Sequence, residues 1–147
     1  MERVTVRAYG PADHDEVVRL WRTVFPDAPA RNDPVLDIRR KQAVQPELFL
    51  VACVEGALVG TCMAGFDGHR GWLHLVAVAP GHRRRGVGAR LLAEAEARLA
   101  ALGCPKLNLQ VRGPSPEAVS FYERLGYRVE DRISMGKVLP PGEGGRS

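Results

Sequence analysis

The sequence predicts a mixed α/β fold of the α+β kind, a central sheet of about seven strands flanked by about four helices in the order β-α-α-β-β-β-α-β-α-β-β. Two observations carry this reading. Residues 48–54 and 57–66 are apolar, β-branched runs that meet at Glu55-Gly56, which is a hairpin. The apolar run 72–78 leads through a glycine-rich turn into an amphipathic helix and then into another strand, which is a right-handed parallel crossover. One domain is expected over residues 1–139, followed by a frayed glycine-rich tail over 140–147.

The elements follow in order. Val4, Val6 and Ala8 alternate with Thr5 and Arg7 in a first strand, and Gly10-Pro11 breaks it. A helix starts at Asp13 and buries Val17, Val18, Leu20, Trp21, Val24 and Phe25. Residues 26–32 form a loop with two prolines, and Asp33-Pro34 pairs an N-cap with proline at the first helical position. Through a two-residue turn at Glu55-Gly56, Cys53 should face Leu58 and Cys62 should face Phe49. The segment 67–71 turns the chain into the next strand and completes an antiparallel meander. Val87, Leu91, Leu92, Ala95, Leu99 and Leu102 recur at helical spacing until Gly103, and 106–111 is the crossover's second strand. Ser115-Pro116-Glu117 starts a last helix that faces Ala118, Phe121, Tyr122 and Leu125 inward and stops at Gly126. Residues 127–129 and 133–139 read as two short final strands.

A chain of 147 residues, 45% hydrophobic and 26% charged, has the size of one compact domain. It shows neither a charged segment followed by an apolar leader nor a run long enough to span a bilayer, so a cytoplasmic protein without a membrane partner is expected. Cys53, Cys62 and Cys104 are odd in number and form no C-x-x-C pair, which points to reduced core thiols and to no metal. The net charge of +4 comes with two short basic clusters, Arg39-Arg40-Lys41 and Arg83-Arg84-Arg85, neither interleaved with aromatics. The first reads as a solvated helix face and the second as a phosphate contact, so no nucleic-acid partner is expected.

The stretch from His82 to Leu92 closes an apolar strand, supplies Gly86 and Gly88 at a tight turn and opens a helix, a combination suited to phosphate. A P-loop is excluded, because Gly81 and Gly86 have its spacing but Val87-Gly88 stands where Lys-Ser/Thr is required. The dinucleotide fingerprint also fails, since Leu91 replaces the third glycine. The remaining pattern, Arg-x-x-Gly-x-Gly after a strand carrying Val76, Val78 and Pro80, resembles the acetyl-coenzyme A loop of the GNAT (Gcn5-related) N-acetyltransferases.

The element order fits the GNAT fold, and Ala118-x-x-Phe121-Tyr122-x-x-x-Gly126-Tyr127 is similar to its second hallmark. Asn32-Asp33-Pro34, Asp37-Ile38, residues 65–71 and Gly103-Cys104-Pro105-Lys106 further resemble bacterial YpeA-type acetyltransferases. The resemblance covers nearly all of the chain before the tail. It implies acetyl-CoA as cosubstrate, with its diphosphate on the backbone of Arg83, Arg84, Arg85, Gly86, Val87, Gly88 and Ala89. The pantetheine arm would run along Val76 and Val78, with the thioester near Val78. Ser115 stands where the family often has a pantetheine-binding asparagine.

Acetyl transfer to a primary amine requires a neutral nucleophile, an oxyanion donor and a proton for the leaving thiolate. Tyr122 is the candidate general acid, because a tyrosine hydroxyl stays protonated at neutral pH and relatives use the matching tyrosine. The backbone N–H of Val78 is the candidate oxyanion donor. For the base, some relatives place a glutamate where this chain has Trp72, and the choice stays open between His74, Asp67 or His69, and bound water. The acceptor, a small molecule or a peptide, should meet Trp21, Phe25, Arg31 and Asn32, with Asp67 and His69 nearby. The alternative reading is a non-catalytic acetyl-CoA sensor or interaction module, as a monomer or a homodimer.

Overall fold

The computed structural model describes residues 3–113 and 115–141, and its contacts group the chain into two units, residues 1–110 and 111–147. The first unit holds strand β1 (Val4–Ala8), helices α1 (His14–Val24) and α2 (Pro34–Gln42), strands β2 (Phe49–Val54), β3 (Ala57–Phe66) and β4 (Gly71–Val78), helix α3 (Val87–Ala101) and strand β5 (Leu107–Leu109). The strands lie side by side in chain order. Neighbours from β1 to β4 are antiparallel, and β5 adds to β4 in parallel, as the crossover requires.

Local chemistry explains the element ends. Asp13 stands before α1, yet its carboxylate takes two hydrogen bonds from the Arg7 guanidinium at 2.7 and 2.8 Å and one from the Gly10 N–H at 2.8 Å. This ties β1 to the start of α1, and the guanidinium holds the carboxyl below its usual pKa. Asp33 caps α2 by accepting the Val35 N–H at 3.1 Å, with Pro34 in the first turn. Gly103, at φ 87°, stops α3, and its N–H reaches back to the Ala100 carbonyl at 3.0 Å.

Helices cover both faces of the sheet. Val17, Val18, Leu20 and Trp21 of α1, with Ile38 of α2, pack on Phe49, Val51 and Ala77. On the other face, Leu91, Leu92, Ala95 and Leu99 of α3 are buried, and α3 approaches so closely that a β-carbon at Gly60 would lie 3.0 Å from Val87 and Leu91.

Two irregularities change the expected register. Glu55 and Gly56 both have positive φ, the type I′ pattern, and Cys53 faces Leu58 as expected. Val59 is then extra, since Ala52 pairs with Gly60, so Cys62 faces Leu50 rather than Phe49. Between β3 and β4, Met63 pairs with His74 but Thr61 with Ala77, so Leu75 and Val76 together stand opposite Cys62. Leu75 takes φ 50°, the left-handed region.

Residues from Val111 onward form the second unit, with helix α4 (Pro116–Arg124). Gly126, at φ 95°, ends α4, its N–H donating to the Glu123 carbonyl, while the Tyr127 N–H donates to the Tyr122 carbonyl. The two strands expected at 127–129 and 133–139 do not form among the described residues. Their alternation has the β pattern, but they join no ladder, Asp131 lies at a bend, and Val129, Ile133, Met135, Val138 and Leu139 are exposed. The crossover strand is also shorter than the expected 106–111, because pairing with β4 stops at Leu73, just ahead of the β4 bulge. The expected tail lies outside the described residues beyond Pro141.

Gly60→Ala should destabilise the chain by about 1–3 kcal/mol, because the Ala77 carbonyl 3.1 Å away is fixed in the sheet and cannot retreat. A lowered urea midpoint at unchanged slope is the expected readout, and an unchanged midpoint would show that α3 yields.

Candidate active site

The end of β4 and the start of α3 build a site from backbone. After Val78 a short turn, Pro80–His82, leads to Arg83, whose guanidinium Nε donates to the Val78 carbonyl at 3.3 Å. Arg84 and Gly86 both adopt left-handed backbone, at φ 64° and 82°, with Arg85 between them. Such alternation turns successive N–H groups toward one concavity. Gly86 is the N-cap of α3 and offers no side-chain acceptor, so the first-turn N–H groups of Val87, Gly88 and Ala89 are left for an external acceptor. Arg83, Arg84, Arg85 and Gly86 are exposed, whereas Val87 and Gly88 are buried against the sheet.

Beside this turn β4 has an open edge. Strand β5 pairs with Gly71, Trp72 and Leu73 alone, so among the described residues 74–78 meet no strand on that side. The bulge also reverses the facing of β4. Trp72 pairs with Gly65, whose missing β-carbon would point at Lys41 and Gln45 of the α2 side. His74 pairs with Met63 on the same face, whereas Val78 pairs with Gly60, which faces α3. Val78 and His74 thus serve opposite faces, although both are even-numbered.

His74 is exposed and stacks on Trp72 at 6.4 Å between ring centroids. Although much of its surface is open, desolvation by the groups packed around the ring, and after it the Lys41 ammonium, hold the imidazole below the ordinary value of 6.5, against the opposing pull of Asp37. A neutral ring near pH 7 suits a proton acceptor. Burial raises the carboxyl pKa of Asp37, which donates nothing as a carboxylate and accepts Arg40 at 3.1 Å. Lys41, expected on a solvated face, is instead buried with its ammonium on the Ala64 carbonyl, and burial lowers its pKa. The missed signal was its spacing three residues after buried Ile38, on the inward stripe of α2.

The remaining candidate residues separate. Trp21 is 2% exposed, stacks on Phe49 and gives its indole N–H to Thr61 Oγ1 at 2.8 Å, so it lies in the core and not on an open wall. Phe25 is half-buried at the end of α1, while Arg31 and Asn32 are exposed in the turn Ala30–Asn32. The Asp67 carboxylate accepts the N–H groups of His69 and Arg70, each at 2.8 Å, and these bonds lower its pKa and shape the turn. His69 is exposed there. Burial pushes the Cys62 thiol up to about 12, and that of Cys53 also upward, so neither is a ready thiolate. Among the described residues no cluster of His, Cys, Asp or Glu could hold a metal, and no helix is long and apolar enough to cross a membrane.

In the second unit, Tyr122 lies half-buried on α4, with edge-to-face contacts to Phe121 at 5.0 Å and Tyr127 at 5.8 Å. The Gly126 stop that returns the chain to the Tyr122 carbonyl also places Tyr127 against its ring. Ser115 is the N-cap of α4 but makes no side-chain capping bond.

This phosphate-type turn between β4 and α3 lies in a chain whose residues 14–127 match the acetyltransferase (GNAT) family model. Similar proteins include acetyltransferase YE1169 of Yersinia enterocolitica, 44% identical over 134 residues, which are 91% of this chain and 94% of that protein. Acetyltransferase SG1711 of Sodalis glossinidius is 43% identical over 135 residues, covering 91% and 94% of the two chains. Among solved structures, Ard1 from Thermoplasma volcanium is similar with a TM-score of 0.74 at 27% identity, covering 86% of this chain and 84% of its own. The structure of AAC(6')-Iy with a CoA-containing bisubstrate analog shares the fold, with a TM-score of 0.80 at 15% identity over 94% and 99% of the chains. The chain belongs to the GNAT acetyltransferase family.

In an NMR titration the His74 imidazole should show a midpoint below 6.5. Lys41→Met should raise it by removing a cation, and Asp37→Asn should lower it by removing an anion. A midpoint that neither substitution moves would place both charges too far away to matter.

Proposed function

We propose that this chain transfers an acetyl group from acetyl-CoA to a primary amine of a small molecule or peptide, as a cytoplasmic enzyme. The carrying observation is the turn from Arg83 to α3. Two left-handed residues shape it, three exposed arginines surround it, and it opens on a helix start whose N-cap has no side-chain acceptor. These features suit a diphosphate. The open edge of β4 beside it suits the pantetheine arm, whose amides would continue the sheet along Val76 and Val78. The CoA ligand of AAC(6')-Iy, which has the same fold, supports this reading.

Acetyl-CoA supplies a thioester carbonyl, and the chain must stabilise its oxygen and move two protons. The Val78 N–H is assigned to the oxyanion. His74, kept neutral by its surroundings, takes a proton from the amine as nitrogen bonds to the carbonyl carbon. Tyr122 gives its hydroxyl proton to the departing sulfur as the carbon–sulfur bond breaks. Phe25, Arg31 and Asn32, beyond the end of α1, are assigned to the acceptor together with the Asp67–His69 turn. Trp21 acts from the core behind them. Ser115, without a capping bond of its own, remains assigned to the pantetheine.

Thiol release from acetyl-CoA across a panel of amines and peptides is the direct test. Coenzyme binding with no release for any acceptor would favour a sensor. Tyr122→Phe should lower kcat by about 10²-fold with little change in KM for acetyl-CoA, and unchanged kcat would remove its role. Gly86→Val places a branched residue at φ 82° beside the diphosphate, and should raise that KM by about tenfold. With His74 as base, kcat/KM falls as pH drops through its pKa below 6.5, and His74→Gln abolishes that limb.

A further inference from the structure

The β4 bulge is held by a hydrogen-bond relay that reaches it from α1. Trp21 is 2% exposed and Thr61 is fully buried, so water is excluded from both. The indole Nε1–H can only donate, and it donates to Thr61 Oγ1 at 2.8 Å. The single hydroxyl proton of Thr61 is thereby directed to its other partner, the Leu75 carbonyl, at 2.9 Å. Leu75 is the bulge residue in left-handed backbone, an unfavourable conformation for a side chain of its size. Stacking of Trp21 on Phe49, with ring centroids 5.6 Å apart, fixes the indole that starts the relay.

A valine at 61 would have nearly the shape of threonine without its hydroxyl, and the indole of Trp21 packs through its ring faces whether or not its N–H is bonded, so shape alone does not call for the bond between these two polar groups. Their effect is to fix the peptide that follows Leu75, and with it the direction of the N–H groups from Val76 to Val78. We propose that Trp21 and Thr61 are positioning residues for acyl transfer, acting through the Leu75 carbonyl to set the aim of the backbone donors that receive the thioester. The inference rests on the acetyl-transfer reading above and adds residues to it. It also links α1, whose far end leads to the acceptor loop, to the strand assigned to the thioester.

The experiment compares Thr61→Val, Thr61→Ser and Trp21→Phe with the wild-type chain, each assayed well below its own melting temperature. Thr61→Val should lower kcat by about tenfold or more while KM for acetyl-CoA stays within about twofold, because the diphosphate contacts on α3 are untouched. Thr61→Ser should restore kcat to within about twofold, and Trp21→Phe, which frees the hydroxyl to rotate, should fall between them. Unchanged kcat in folded Thr61→Val overturns the proposal, as does a loss that Thr61→Ser fails to rescue. Amide NMR with coenzyme A as probe gives a readout independent of turnover. The shifts of residues 76–78 on binding should change in Thr61→Val while those of 86–89 persist, and identical shifts in both proteins overturn the relay. A wild-type chain that binds no coenzyme A overturns the acetyl-transfer reading itself.

Discussion

One extra residue in β4 governs how this chain arranges its chemistry. Because Leu75 and Val76 share a single partner in Cys62, the strand changes facing midway. Trp72 and His74 lie on the side of α2, whereas Val78 turns toward α3. A regular strand would have aimed His74 and Val78 at the same face. The bulge instead assigns the titratable ring to one side of the sheet and the approach to the arginine turn to the other. Beyond Leu73, the neighbouring strand no longer accompanies β4, and backbone is left at an edge inside an otherwise covered sheet.

The turn that follows depends on the same strand. Gly60 and Val78 are paired across the ladder, and Gly60 gives α3 room to press Val87 and Leu91 onto the sheet. The start of α3 is therefore seated by apolar packing on one side, and its N–H groups and arginines remain on the other. Packing of Val87 and Leu91 on the sheet thus sets the position of these backbone donors.

Much of this was legible in the chain. Hydrophobic alternation and turn residues located β1 to β4 within a residue or so, Asp33-Pro34 located α2, and the glycines at 103 and 126 marked helix stops. A glycine turn opening a helix between His82 and Leu92 followed from residue types, and the bounds 83–89 came with the resemblance to the GNAT loop. The bulges did not, because a valine or leucine in a β-branched run gives no local sign that it lacks a partner of its own. Their omission misplaced Cys62 by one residue and hid the change of facing between His74 and Val78. Burial of Lys41 was hidden by its basic neighbours Arg39 and Arg40, which are exposed. The apolar alternation after Tyr127 overstated strand formation, since a ladder needs a neighbour as well as a pattern. The surroundings of Trp21 were half visible: its place on the inward stripe was clear, but the partner of its N–H lies 40 residues away on β3.

The lysine content gives the buried position of Lys41 a further meaning. The chain carries only three lysines, Lys41, Lys106 and Lys137, among its 21 basic residues. Lys41 is enclosed with its side-chain nitrogen on the Ala64 carbonyl, so it presents no nucleophilic amine to solvent. Lys106 and Lys137 are the exposed ones. In a protein of an acyl-transferring family, a cationic surface built mainly from guanidinium groups offers few amines of its own for acylation.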